Sequence, residues 1–328
     1  INLNDNLKFE LKENNYIKIL KVIRNLLLVL SISIFLFIFY EKKLFTNTLI
    51  YLISIISTFI LFAIRDTNIL FGLRYYRGGA DGLLHFSHGR DITENLLNHN
   101  YFDAIMGVER VFYFMPGLRY FSSLNNIIFG ENSFGYLLLC SFIPLIIYKI
   151  FELLINKKWA FILFISFIFI PIFENMGFGH FNYVWQVARY HAESLSILFI
   201  LIGLYLIILK HKNINEFKNY FYFISIFLSL AVFLRPNFFP TSLILFFYLI
   251  FLLYKNKNFK LILVNLLGYL LIFLSLLHNY YFGNKIVFFT EASVNFTMTI
   301  PMIIDALLSF GSLDFQNQNF IIFKSQFL

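Results

Sequence analysis

Residues 193–212 read ESLSILFILIGLYLIILKHK, an apolar run that ends in a lysine-bearing turn. The same pattern recurs along the chain, with apolar runs at about 26–40, 49–64, 134–150, 159–173, 193–209, 220–234, 239–254 and 261–282. Several of these are near 16 residues, short of the ~20 that an untilted helix needs to cross a bilayer, so flanking aromatic residues must extend them into the interface. Over 328 residues the composition is 59% hydrophobic, 21% aromatic and only 13% charged. Too little polar surface remains to cover a soluble globule. The chain reads as an all-α polytopic membrane protein with about eight transmembrane helices and a long outward loop carrying interfacial amphipathic helices.

Basic residues sort themselves around the runs. The turns at 41–48, 149–158, 210–219 and 255–260 carry Lys42, Lys43, Lys149, Lys157, Lys158, Lys210, Lys212, Lys218, Lys255, Lys257 and Lys260, with no arginine. The intervening stretches carry Arg65, Arg74, Arg77, Arg90, Arg110, Arg119, Arg189 and Arg235, with only Lys285 and Lys324. The positive-inside rule assigns the lysine turns to the cytoplasm, so 65–133, 174–192, 235–238 and 283 onward face out. The net charge of +8 therefore orients helices, and nucleic acid is not expected as a partner whereas membrane lipids are. This predicts a multi-pass protein of a bacterial-type inner (plasma) membrane, its active face outward. Lys18, Lys21 and Arg24 resist the scheme, because a complete crossing at 26–40 would put them outside. An upstream helix missing from the chain would repair this, as would a first run that dips in and returns. Ile1 in place of Met suggests a missing or processed start. Cys140 lies in an apolar run and reads as a small core hydrophobe. The chain divides into a basic N-terminal segment (1–24), two hydrophobic helices (25–64), the outward loop (65–133), a six-helix bundle (134–282) and an outward C-terminal segment (283–328).

The outward loop is the richest in chemistry. Across 74–92 it reads RYYRGGADGLLHFSHGRDI. Gly78 and Gly79 permit a sharp turn, after which Asp81 can start a helix. On that helix Asp81, His85 and His88 stand at i, i+4 and i+7, on one face. One reading makes the carboxylate a general base with imidazole neighbours, or a holder of a divalent metal through Asp81 and His85. The plainer reading makes Asp81 an N-cap and the histidines interfacial polar residues. Further on, 109–120 reads ERVFYFMPGLRY. Pro116 and Gly117 break the pattern, so Glu109, Arg110 and Tyr113 are expected to end one amphipathic helix while Arg119 and Tyr120 begin the next element. Simple anchoring in the interface accounts for the aromatic residues equally well.

A hydrophobic helix pair, an outward loop with Gly78-Gly79 and Asp81, two interfacial helices and Pro116-Gly117 before the next crossing: this arrangement resembles the GT-C superfamily of integral-membrane glycosyltransferases over most of the chain. The resemblance implies a sugar donor carried on a polyprenyl phosphate or diphosphate, an acceptor outside the cytoplasm in the cell envelope, and a site opening outward at the membrane surface. It also implies that Asp81 is the catalytic carboxylate, or a metal ligand in metal-using branches. Many members have two adjacent acidic residues at this place, whereas Ala80 and Gly82 flank Asp81 here. One carboxylate then suffices, Asp91 or Glu109 supplies the second, or activity has been lost.

The remaining outward stretches add cations and rings. Residues 174–193 include Glu174, His180, Tyr183, Trp185, Gln186, Arg189, His191 and Glu193. Arg189 can pair with Glu193 at i+4, or its forked donors can grip a lipid-linked phosphate. His180, Tyr183 and Trp185 would then stack on a sugar. Arg235 stands before Pro236 at the end of an apolar run, where it either snorkels to headgroups or binds phosphate. After the last run come His278, Asn279, Tyr280, Tyr281 and Lys285, for which interfacial anchoring is the default. Phosphate-binding loops, dinucleotide fingerprints, zinc-protease helices and Cys-x-x-Cys pairs are missing. The alternatives to a transferase are a lipid-linked glycan flippase or transporter, disfavoured by apolar runs nearly free of charge, and a non-catalytic membrane scaffold.

Overall fold

The computed structural model describes residues 47–65, 80–169, 179–212, 219–290, 300–311 and 316–327. The basic segment 1–24, the first hydrophobic run, Gly78, Gly79, Glu174 and the side chain of Asp81 lie outside them. The described residues form helices and turns, with no strand among them. In chain order the helices are α1 (Asn47–Arg65), α2 (Ala80–Leu97), α3 (Tyr101–Met106), α4 (Gly117–Phe129), α5 (Phe134–Cys140), α6 (Phe142–Leu154), α7 (Lys157–Phe169) and α8 (His180–Ala188). They continue as α9 (Glu193–Lys212), α10 (Ile224–Leu234), α11 (Phe239–Lys255), α12 (Phe259–Tyr269), α13 (Leu274–Gly283), α14 (Ile300–Gly311) and α15 (Gln318–Phe327). Short 3-10 turns join α10 to α11 and α12 to α13.

Four stretches are long and apolar enough to cross a membrane: Phe134–Leu154, Glu193–His211, Pro236–Lys255 and Phe259–Gly283. Two shorter apolar helices, Thr48–Ile64 and Phe221–Leu234, pack among them. The described residues are thus all-helical, and the length and composition of four of their stretches are those of a membrane protein. Along the outer faces of α11 and α12, Ile244, Phe247, Phe251, Leu263 and Leu267 stay exposed. Apolar side chains on such a scale need an apolar medium around them.

Inside the bundle, Leu, Ile and Phe fill the contacts and small polar groups stitch the helices. Leu195 and Leu198 of α9 pack with Tyr136, Leu137, Ile143, Val184 and Val187. Ile224 and Leu228 of α10 pack with Leu249, Leu253, Leu261 and Ile272. Asn265 of α12 accepts from Ser225 N at 3.2 Å and donates to Phe221 O at 3.2 Å and Leu261 O at 2.9 Å. Ser242 of α11 donates to Leu228 O at 2.9 Å. Such bonds hold apolar helices together where hydrophobic burial offers little preference over lipid. Ser54 of α1 donates to the Ser141 carbonyl, at the point where the Phe134–Leu154 stretch is interrupted between α5 and α6.

The region 80–133 is built around α2 and α4, which pack against each other. On α4 the usual polarity is reversed: Arg119, Ser122, Ser123, Asn125 and Asn126 are buried, while Leu124, Ile127 and Ile128 are more than half exposed. A helix that turns polar groups inward and apolar groups outward is suited to lie against lipid.

The loop departs from expectation in one place. Glu109, Arg110 and Tyr113 do not end a helix; α3 stops at Met106 and 107–116 is irregular. Gly107 (φ 64°) and Val108 (φ 77°) both take the left-handed conformation, which a β-branched residue such as Val adopts only when its surroundings impose it. Beyond the main bundle, α14 and α15 pair with each other through Ala306 and Phe320, and Asp305 accepts from Asn317 at 3.1 Å and Asn319 at 2.8 Å.

Candidate functional site

Helix α8 ends at Ala188, and the chain turns through Arg189, Tyr190 and His191 before α9 starts at Glu193. Tyr190 makes the turn in the left-handed region (φ 56°), a conformation costly for a non-glycine residue. Its ring is fully buried, 5.4 Å from Phe86 of α2 and 5.8 Å from Tyr136 of α5. Tyr136 in turn donates its hydroxyl to the His191 carbonyl. Packing from two helices therefore fixes a strained corner, and with it the start points of the Arg189 and Glu193 side chains.

The first turn of α2 presses on that corner. A Cβ added to Gly82 would stand 2.0 Å from the Arg189 carbonyl oxygen, so only glycine allows the approach. This brings the backbone of Asp81, the second residue of α2, alongside Arg189. Helix α2 starts at Ala80, so Asp81 stands inside the first turn and not at the N-cap.

A third element arrives from α10. Gly117, the first residue of α4, lies so close to the last turn of α10 that an added Cβ would meet Phe233 O at 2.5 Å. Two residues on, Arg235 ends α10 in extended backbone and its Nη2 reaches Glu193 Oε1 at 3.1 Å. The carboxylate considered as an i+4 partner for Arg189 is thus taken by Arg235. Arg189 instead lies over the Trp185 ring, 4.5 Å from its centroid, and forms no ion pair with a carboxylate among the described residues. Its Nε is buried and has no hydrogen-bond partner among the described residues.

His85 sits between these elements. Burial first, then the positive charges of Arg119, His88, Arg235 and His191, push its pKa down to about 3. The imidazole is accordingly neutral near pH 7, with a buried Nδ1 that meets no hydrogen-bond partner among the described residues. Phe114 of the irregular segment covers it at 5.3 Å between ring centroids. His88, on the same face, is also lowered, by burial and then by Arg119, against the opposing pull of Glu109 and Asp91.

The other sequence candidates fall elsewhere. Glu109 is engaged by Arg119 at 2.8 Å and accepts from Tyr113 N at 3.1 Å. Asp91 is exposed on α2, ten residues beyond Asp81 and therefore about 15 Å along the helix axis. Arg110 and Tyr113 are exposed on the irregular segment. His180 is fully buried and its Nε2 meets Thr58 Oγ1 of α1 at 2.7 Å. Tyr183 is buried too, its carbonyl accepting from Ser194 at 2.7 Å. Among the described residues no group of three or more His, Cys, Asp or Glu side chains converges to hold a metal ion.

The sequence marks Arg119 only as beginning an element and Asn279 only as an interfacial anchor, and the structure gives each a further task. Arg119 has no exposed side-chain surface; it donates to Gly107 O at 2.8 Å and to Glu109, and lies 5.0 Å from the Phe112 ring centroid. It pins the left-handed pair 107–108. A buried guanidinium demands a carboxylate, and Glu109 in the same loop was the available signal. Asn279 of α13 accepts from Phe112 N at 2.9 Å and donates to Val287 O and Phe288 O, while His278 stacks on Phe112 at 3.8 Å and contacts Met106 O at 3.0 Å. Together they tie the irregular segment to the end of the last apolar stretch.

Neither a protein-family profile, nor a curated protein, nor a solved structure matches the chain.

Proposed function

We propose that the chain is a membrane glycosyltransferase that moves a sugar from a polyprenyl-phosphate-linked donor to an acceptor outside the cytoplasm. The observation that carries this reading is the meeting of three elements: the α2 first turn at Gly82, the Arg189–Glu193 corner and the Arg235 turn. They bring a carboxylate-bearing turn beside two arginines, one without a carboxylate partner among the described residues and one held at a single nitrogen. In the proposed reaction Asp81 takes the proton from the acceptor hydroxyl, whose oxygen bonds to the anomeric carbon as the sugar–phosphate bond breaks. Arg189 and Arg235 stabilise the charge that grows on the departing lipid phosphate. The neutral His85 adds no competing cation. Eight crossings with the lysine turns in the cytoplasm would put this chemistry on the outer surface of a bacterial-type inner membrane.

Replacing Asp81 by Asn and measuring sugar transfer from a polyprenyl-phosphate donor in membranes tests the reading. Loss of transfer with retained expression and folding is expected. Undiminished turnover overturns it.

A further inference from the structure

Arg235 is held at one end only. A guanidinium offers five N–H donors, and Glu193 Oε1 engages just Nη2, at 3.1 Å. The Nε of Arg235 is buried without a partner, and no ion pair other than that with Glu193 reaches the side chain among the described residues. A purely structural pair favours the two-pronged geometry, in which both carboxylate oxygens are used. Here the second oxygen of Glu193 is buried, with His191 Nδ1 at 4.0 Å and no hydrogen bond among the described residues. The carboxylate itself is well placed: it opens α9, where the helix terminus favours negative charge, and its side chain is only 15% exposed. The backbone beneath Arg235 is fixed independently by Gly117 against Phe233.

Resting on the transferase reading, we infer that Glu193 is a positioning residue: it anchors one nitrogen of Arg235 so that the remaining donors face the phosphate of a polyprenyl-linked donor. Without that anchor the long side chain is free to snorkel toward water.

Titration of the purified full chain in detergent with undecaprenyl monophosphate, read by native mass spectrometry alongside the melting temperature, tests this. Glu193→Gln is expected to weaken binding about tenfold, the loss of one charge-assisted contact, and Glu193→Asp to fall between it and the parent. The exchange Glu193→Arg with Arg235→Glu is expected to restore the melting temperature lost in Glu193→Gln without restoring binding. Recovery of binding in the exchanged protein would make the pair structural only and overturn the inference. Parental binding by Glu193→Gln, with loss in Arg235→Gln, overturns it while leaving the phosphate reading intact. Parental binding by Arg235→Gln, or none by the parent itself, removes both.

Discussion

Arg119 and Glu109 form an ion pair of 2.8 Å in which the arginine side chain has no exposed surface and the carboxylate retains about a quarter of its own. Glu109 belongs to the irregular segment whose Phe114 covers His85, and Arg119 reaches it from α4. Removing one charge of a buried pair strands the other, at a cost of about 3 kcal/mol. Glu109→Gln should therefore lower the unfolding free energy by roughly that amount, measured by denaturant titration in detergent. Combining it with Arg119→Met should recover part of the loss; an unrecovered double variant would mean that Arg119 acts through its bond to Gly107 instead.

Gly82→Ala is expected to be severe for its size. The new methyl group would meet the Arg189 carbonyl at 2.0 Å, and a backbone oxygen on a buried, strained corner has nowhere to go. Overpacking of this kind costs about 1–3 kcal/mol. Thermal melting should fall and sugar transfer should fall further, because the α2 turn and Arg189 separate together. A variant with parental melting and transfer would show that the corner yields.

His85 supplies a pH signature. Its pKa is about 3 in the folded chain against 6.5 for the free side chain, so between those values the unfolded chain binds the extra proton. The stabilisation is complete above about pH 6.5 and is lost as pH falls toward about 3. In His85→Gln the dependence of melting temperature on pH should flatten within that window. Equal slopes in the two proteins would mean that His85 is more accessible to water than its packing indicates.

The outward apolar face of α4 can be examined without any activity. A nitroxide attached at Ile127→Cys in vesicles should be relaxed by oxygen, which concentrates in lipid, and be shielded from a water-soluble nickel chelate. A label at buried Ser123 should be shielded from the chelate too, but less relaxed by oxygen. Greater access of nickel than oxygen at position 127 would place α4 in water.

Much of the helical frame is legible in the sequence because its causes are local. The run at 239–254 becomes α11, closing on Lys255, and the run at 193–209 becomes α9, closing on Lys210 to Lys212. Apolar length and a terminal cation suffice to mark such elements. Segment 107–116 is irregular where the sequence suggests that Glu109, Arg110 and Tyr113 end a helix: Gly107 and Val108 are left-handed, and Arg119 of a different helix holds the Gly107 carbonyl. The same holds for Glu193. Spacing offers Arg189, one helical turn away, as one possible partner, yet the fold delivers Arg235 from the end of α10. Asp81 could be singled out by its glycine-rich surroundings, but the reason for Gly82, the carbonyl of Arg189, lies in tertiary contact.

The reversed polarity of α4 bears on how the region 80–133 can be handled. An excised fragment spanning 80–133 would carry Leu124, Ile127, Ile128 and Phe129 into water on a single helix face, together with Tyr101, Phe102 and Ile105 of α3. Fragments would self-associate to cover that patch, or refold to bury it at the expense of Ser122, Asn125 and Asn126. None of the described helices within 80–133 is long and apolar enough to cross a membrane, yet their exposed side chains do not favour water, and ligand binding measured on the fragment in isolation would report on an aggregate.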